Sequence, residues 1–206
     1  APAATVTSRP LAALDHESAG WSPAEGGFPS SLWQGSSWAG AGRLLERLPA
    51  PSVTPARHAL ARRLLMSAAG RPEGAPAGAF LERRLARLLA LGDGLAAMAL
   101  VRAVPDARLD GPRARAAAEA GLLGGAVSDT CKRARRGGLD LADLFWRRLL
   151  LACDAIDGHG DRVRLGLDLL RDQGQDPGAD FTRLVEGVAG LGDKPAVAAG
   201  SGPIEL

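Results

Sequence analysis

Apolar residues recur every three to four positions along most of the chain, a spacing that places them on one face of an α-helix. Caps of Ser, Thr or Asp precede the apolar segments, and proline or glycine follows them, as is typical of helix ends. No stretch alternates with the period of two that a half-buried strand requires. The sequence therefore predicts an all-α protein of about nine helices, built as stacked helical hairpins.

The helices are expected at short intervals from Ser36 onward. Their predicted positions are 37–48, 54–69, 77–91, 93–104, 112–120, 126–136 and 140–157, with an eighth after Asp161 and a ninth around 181–188. In the third helix, leucines such as Leu85 form the apolar face. Arg83, Arg84 and Arg87 are therefore expected to point outward.

The two ends of the chain lack the helical spacing of apolar residues that its middle shows. Residues 1–35 hold four of the 14 prolines and show no sustained period, which predicts an extended leader. Because large aromatic side chains seldom remain in water, we expect the stretch from Phe28 to Trp33 to pack onto the first helices. Residues 36–192 are the predicted helical repeat domain, and residues 193–206 a tail or a linker to a further part of the polypeptide.

A weak repeat runs through the middle of the chain. Turns near Gly92, Gly124 and Gly158 are spaced by 32 and 34 residues, and paired helices at this period are typical of helical-repeat stacks. The segment 88–100, Leu-Leu-Ala-Leu-Gly-Asp-Gly-Leu-Ala-Ala-Met-Ala-Leu, resembles the turn and second helix of a tetratricopeptide repeat. Trp146 and Pro105 match the family's tryptophan and proline only loosely. This resemblance implies an α-solenoid with a concave binding face.

A second resemblance involves both ends of the domain. Leu32-Trp33-Gln34-Gly35 and the stretch from Phe145 to Gly174 are similar to a poorly characterised group of exported alphaproteobacterial helical-repeat proteins. This resemblance implies the amino-terminal part of a larger exported protein and brings no known chemistry. The opening Ala-Pro-Ala, without an initiator Met, also suggests a mature exported form, with a cytoplasmic protein as the alternative.

Composition narrows the functional classes. Hydrophobic residues make up 46% of the chain and charged residues 23%, which excludes wholesale disorder. No apolar run reaches the roughly 18 residues that a bilayer crossing requires. The formal net charge of +2 is too small for strong steering toward nucleic acid.

Cys131 and Cys153 allow either a disulfide or two free thiols. If the sixth and seventh helices form an antiparallel hairpin about a turn near 137–140, the two cysteines are offset by roughly 10 Å at about 1.5 Å per residue. This offset exceeds the roughly 7 Å between Cα atoms that a disulfide spans. The sequence therefore favours buried free thiols over a bridge.

Other candidate sites have ordinary structural explanations. Asp157, His159, Asp161 and Asp168 have the spacing of a calcium loop, but Arg162 stands where that loop needs glycine, so we predict no metal. His16 and His58 are expected at the surface. The basic run Lys132, Arg133, Arg135 and Arg136 is a candidate for RNA binding, although basic residues in a last helical turn also complement the helix dipole.

No catalytic motif and no cofactor site is recognisable in the sequence. The leading hypothesis is a non-catalytic interaction or scaffolding module of the cell envelope that binds a protein or peptide partner. Its predicted partner-binding residues are Arg83, Arg87, Arg147 and Arg148. The alternatives are the superhelical accessory part of a larger envelope enzyme, such as a peptidoglycan-processing one, and an RNA-binding helical repeat.

Overall fold

The computed structural model describes residues 16–48, 54–105, 109–137 and 139–192, and this part of the chain is all-α. It holds nine α-helices, two short 3-10 helices at His16–Ser18 and Pro23–Glu25, and no strand. The α-helices are α1 Trp38–Glu46, α2 Pro55–Met66, α3 Ala79–Ala90, α4 Gly94–Arg102, α5 Gly111–Leu123, α6 Val127–Arg135, α7 Leu144–Ile156, α8 Gly160–Asp172 and α9 Ala179–Val188. The predicted all-α fold is confirmed. The predicted tail, 193–206, and the first 15 residues of the leader lie outside the described residues.

Short polar side chains begin several helices, as the sequence predicts. Ser37 Oγ accepts a hydrogen bond from the Gly40 N–H at 3.2 Å, and Asp93 Oδ1 accepts one from the Ala96 N–H at 3.0 Å. These bonds satisfy backbone donors that have no partner inside the helix. Helix α7 begins at Leu144, four residues later than predicted, because Asp143 is its cap.

Three hairpins share one turn geometry. The α3–α4, α5–α6 and α7–α8 turns place Gly92, Gly125 and Gly158 at φ values of 73°, 76° and 76°, a conformation that favours glycine. In each turn the N–H after this glycine bonds the carbonyl five residues earlier, at 2.7 to 2.9 Å. The second turn is centred on Gly125 and not on Gly124, so the three turns at 92, 125 and 158 are evenly spaced by 33 residues.

The hairpins pack into two hydrophobic cores. The first is built mainly on α1 to α5 around Leu45, Leu85 and Phe80, and the second mainly on α6 to α9 around Leu149 and Phe181. Helix α5 contacts α3, α4 and α6, yet among the described helices α5 and α7 have no Cα atoms within 8 Å of each other. The two cores are therefore joined mainly through α6, which packs on both α5 and α7.

Gly94 marks a close approach of helix α4 to the α5–α6 turn. A Cβ at this position would lie 2.5 Å from Leu123 Cβ and 2.7 Å from the Gly124 nitrogen. The packed backbone around Gly124 has no freedom to move aside.

We expect Gly94→Ala to lower the free energy of unfolding by about 2 kcal/mol, measured by urea unfolding. Gly42→Ala is the matched control. No atom lies within 4 Å of its added Cβ, so it is expected to leave stability unchanged or to raise it by up to about 1 kcal/mol. Equal effects at both positions would contradict this explanation.

The described part of the leader packs against the helical body. The Trp33 ring is 5% exposed and meets the Phe80 ring edge to face, with ring centroids 5.9 Å apart. The Arg63 guanidinium lies 4.3 Å from the centroid of the Phe28 ring, a cation–π distance. From residue 16 onward the leader therefore belongs to the first core. No helix in the described ranges has the length and apolar character that a membrane span requires.

Candidate binding site between the two cores

Arg84 is fully buried in α3, which contradicts its predicted outward orientation. Its guanidinium donates hydrogen bonds to the carbonyls of Leu65 at 2.6 Å, Glu17 at 2.9 Å and Ser67 at 3.3 Å. Burial lowers the pKa of Arg84 to about 10, so the side chain remains a cation near neutral pH. The prediction was wrong because α3 is covered on several sides, by α1, α2, α4, α5 and the leader.

Glu17, from the leader, completes this attachment. Its carboxylate accepts hydrogen bonds from the Gly78 N–H at 2.7 Å and the Phe80 N–H at 3.2 Å, both at the start of α3. Arg71 lies 3.4 Å from the same carboxylate. An acid at a helix N-terminus satisfies free backbone donors and complements the helix dipole. The polar contacts of Glu17 and Arg84 therefore hold the leader in place, and no catalytic role follows from them.

Two of the predicted partner-binding residues lie on α3. Arg83 pairs with Glu46 and places its guanidinium 5.7 Å from the centroid of the Trp38 ring. Arg87 donates a hydrogen bond to the carbonyl of Leu48. Both side chains are half-buried and attach α1, or the residues just after it, to α3.

The other two predicted residues lie on α7, in the second core. Arg147 donates a hydrogen bond to the side-chain oxygen of Gln175 at 3.0 Å, and Arg148 donates one to the carbonyl of Pro177 at 2.6 Å. Both bonds reach the segment between α8 and α9. The structure thus places the four arginines as two pairs in different cores, each already engaged in contacts within the chain.

Cys131 and Cys153 form a disulfide, and the predicted free thiols are wrong. The sulfurs are 2.01 Å apart, the Cα atoms are 5.6 Å apart, and both residues are buried. Near this bridge, Arg135 at the end of α6 pairs with Asp154 at 3.1 Å and with Asp157 at 2.6 Å, near the end of α7. The C-terminal ends of α6 and α7 therefore lie together, and the two helices do not form the antiparallel hairpin that the sequence argument assumed.

The connection between α6 and α7 explains the error. Helix α7 has 13 residues and is about 20 Å long at 1.5 Å per residue. Eight residues, 136–143, can span up to about 26 Å, which is more than the length of α7 and leaves room for the turn in which the Asp143 N–H bonds the Asp140 carbonyl. The expected offset between the cysteines assumed a short turn and disappears with this longer path.

A cavity of about 360 Å³ lies between α5, α6 and the first half of α7. Its walls come from α5 and the two residues before it, α6, residues 136–137 and 139–140, the first half of α7, and Met98 of α4. Ala114, Ala117, Leu139, Trp146 and Leu149 give it an apolar lining. The charged residues that also line it are Asp110, Asp129, Arg133, Arg136 and Asp140. An apolar concavity with a few charged groups is a common form of ligand site.

The structure divides the predicted basic run among different contacts. Lys132 lies 3.7 Å from Asp129. Arg135 pairs with Asp154 and Asp157, and the hydrogen bond that it donates to Asp157 is the main cause that raises the pKa of Arg135. Arg133 and Arg136 lie on the cavity wall. The four basic side chains are therefore divided between ion pairs and the cavity wall, and RNA binding stays a prediction.

The predicted surface turn around Gly158 holds only ion pairs. Asp157 contacts Arg135, His159 lies 3.5 Å from Asp154, and Asp161 lies 3.7 Å from Arg164. Within the described ranges, no group of three or more His, Cys, Asp or Glu side chains is arranged to hold a metal ion. The turn serves to connect α7 and α8.

Comparison with known proteins adds no further information about function. No family model matches this chain, and neither does any curated protein or solved structure. The resemblances to tetratricopeptide repeats and to exported helical-repeat proteins therefore stay expectations. Function has to be inferred from the cavity and the contacts around it.

Proposed function

We propose that the chain is a non-catalytic interaction module of the cell envelope, and that the cavity between its cores takes a large apolar side chain from a protein or peptide partner. The observation that carries this proposal is the cavity itself. Helix α5 presents the small side chains of Ala114, Ala117 and Ala118 toward it, while Trp146 and Leu149 border it from α7. An apolar group that enters such a space leaves water, which favours binding.

The geometry of a peptide anchor suits this cavity. The lining is mainly apolar, and charged groups such as Asp129 and Arg133 stand close enough to contact the backbone or polar side chains of a bound segment. Interfaces commonly combine one buried anchor with a polar rim. The ionisable side chains already described are engaged in ion pairs and caps, which supports binding over chemistry.

The disulfide supports a location in the envelope. Structural disulfides form and persist in oxidising compartments such as the bacterial periplasm and are rare in the cytosol. Cys131 and Cys153 are both buried, so the bridge is protected from thiol–disulfide exchange with thiols in solution. A location outside the cytosol, reached by export, fits this disulfide.

Selection from a displayed random-peptide library tests the proposal. We expect the oxidised protein to enrich peptides that share one large apolar residue, and Ala114→Trp to weaken their binding at least about tenfold, because the indole fills the cavity. Ala86→Trp is the matched control, since Ala86 is an exposed alanine of α3 away from the cavity. Titration calorimetry with the selected peptides measures both variants. Peptides that bind Ala114→Trp as tightly as the native chain would refute the cavity as the site.

The predicted arginine surface is tested with the same peptides. Alanine variants are made at Arg83, Arg87, Arg147 and Arg148, and circular dichroism verifies that helicity is retained. A loss of binding would extend the partner surface to that arginine. Unchanged binding would confine the partner contact to the cavity.

A further inference from the structure

We infer that the Cys131–Cys153 disulfide holds the cavity in its binding-competent shape, so that the site is complete only in the oxidised protein. This inference rests on the proposed function of the cavity and adds its control by oxidation state. It follows from the position of α6, which both lines the cavity and contacts α7, and from the weakness of its other attachments.

Helix α6 uses one side to hold α7 and another to line the cavity. Cys131 and Arg135, one helical turn apart, bond to residues of α7. Thr130, Arg133 and Ala134 line the cavity. Because both sides belong to one short rigid helix, any rotation or shift of α6 relative to α7 moves the cavity wall by the same amount.

The other attachments of α6 to α7 are weak. Its only buried residues are Thr130, Cys131 and Ala134, and the Thr130 hydroxyl donates its hydrogen bond within the same segment, to the Ala126 carbonyl at 2.9 Å. Alanine and cysteine bury little apolar area. The Arg135 side chain is 37% exposed, and exposed ion pairs contribute little to stability. The covalent bridge is therefore the main constraint on the position of α6 against α7.

Reduction removes this constraint by ordinary thiol–disulfide exchange. A dithiol reductant supplies two electrons and two protons, becomes a disulfide itself, and leaves one thiol on Cys131 and one on Cys153. Since both sulfurs are buried, the exchange requires a local opening at the junction of α6 and α7. The free thiols then permit α6 to move, and the cavity loses its fixed wall.

The test uses N-phenylnaphthylamine, a neutral apolar dye whose fluorescence rises on leaving water. We expect the oxidised chain to bind one dye molecule, and Ala114→Trp to abolish this binding. In Cys131→Ala/Cys153→Ala, with helicity unchanged, we expect about a tenth of the molecules to keep the binding-competent shape. The dissociation constant of the dye should then rise about tenfold. Arg135→Gln, which retains the bridge, should remain within about twofold of the native chain.

The possible outcomes separate this inference from the proposed function. Equal dye affinity in the native chain and the double alanine variant would overturn the inference while leaving the cavity as a binding site. A tenfold loss in Arg135→Gln would also overturn it, because the ion pairs would then position α6. Absence of dye binding to the oxidised chain, or binding that Ala114→Trp does not block, would refute the cavity as the site.

A second variant keeps the test usable if the double alanine variant loses helicity. Cys131→Ala/Cys153→Met fills the space of the bridge without a crosslink and then takes the place of the double alanine variant.

Discussion

Replacing Arg84 with methionine is expected to lower the free energy of unfolding by about 4 kcal/mol. Methionine fits the length of the side chain but donates no hydrogen bond, so the carbonyls of Glu17, Leu65 and Ser67 lose their donor in a dry environment. Each buried acceptor left unpaired costs about 1 to 3 kcal/mol, and apolar packing of the methionine recovers part of the sum. Urea unfolding followed by circular dichroism measures the change.

Arg83→Met is the matched control on the same helix. Arg83 pairs with Glu46, whose side chain is 58% exposed, and exposed ion pairs are worth up to about 1 kcal/mol. The same substitution one residue earlier should therefore have a small effect. Equal losses of unfolding free energy at the two positions would indicate that water reaches the carbonyls around Arg84. They would contradict the explanation that Arg84 stabilises the fold by bonding carbonyls from which water is excluded.

Replacing both cysteines with alanine is expected to lower the free energy of unfolding by about 3 kcal/mol. The bridge joins residues 22 positions apart, and closing a loop of this size restricts the unfolded chain by about that amount. Alanine removes the crosslink and the two sulfurs and changes no other side chain. The midpoint of urea unfolding measures the loss.

The native chain in dithiothreitol is the control for this measurement. It removes the crosslink without changing the sequence, so its unfolding midpoint should fall to near that of the double alanine variant. A difference below about 1 kcal/mol between oxidised and reduced chains would show that the bridge adds little to folding. The inferred role of the disulfide in positioning α6 would then lose its main support.

The sequence predicts local structure well because local structure depends on neighbouring residues. Caps such as Ser37 and Asp93, and the glycine turns at Gly92 and Gly158, were correctly located from residue type and helical spacing. Arg84 was misjudged because periodicity identifies one apolar face and carries no information about how many neighbours surround a helix. The buried orientation of Arg84 depends on the leader, which the pattern placed outside the repeat domain.

The disulfide and the cavity could not be predicted because both depend on the path of one connection. The eight residues 136–143 suit either a loop in a hairpin or a connection that returns toward the start of α7, and their composition does not distinguish the two. In the structure, the space beside Ala114 and Ala117 of α5 is the cavity.

The junction between the two cores also determines how the molecule can deform. α5 and α7 have no Cα atoms within 8 Å of each other and meet through Arg115, which lies over the Phe145 ring. Bending of one half against the other therefore changes mainly the contacts of Arg115 and of α6. This junction is therefore a natural hinge. A partner side chain seated in the cavity would act as a wedge in that hinge, stiffening the whole protein through a single anchor.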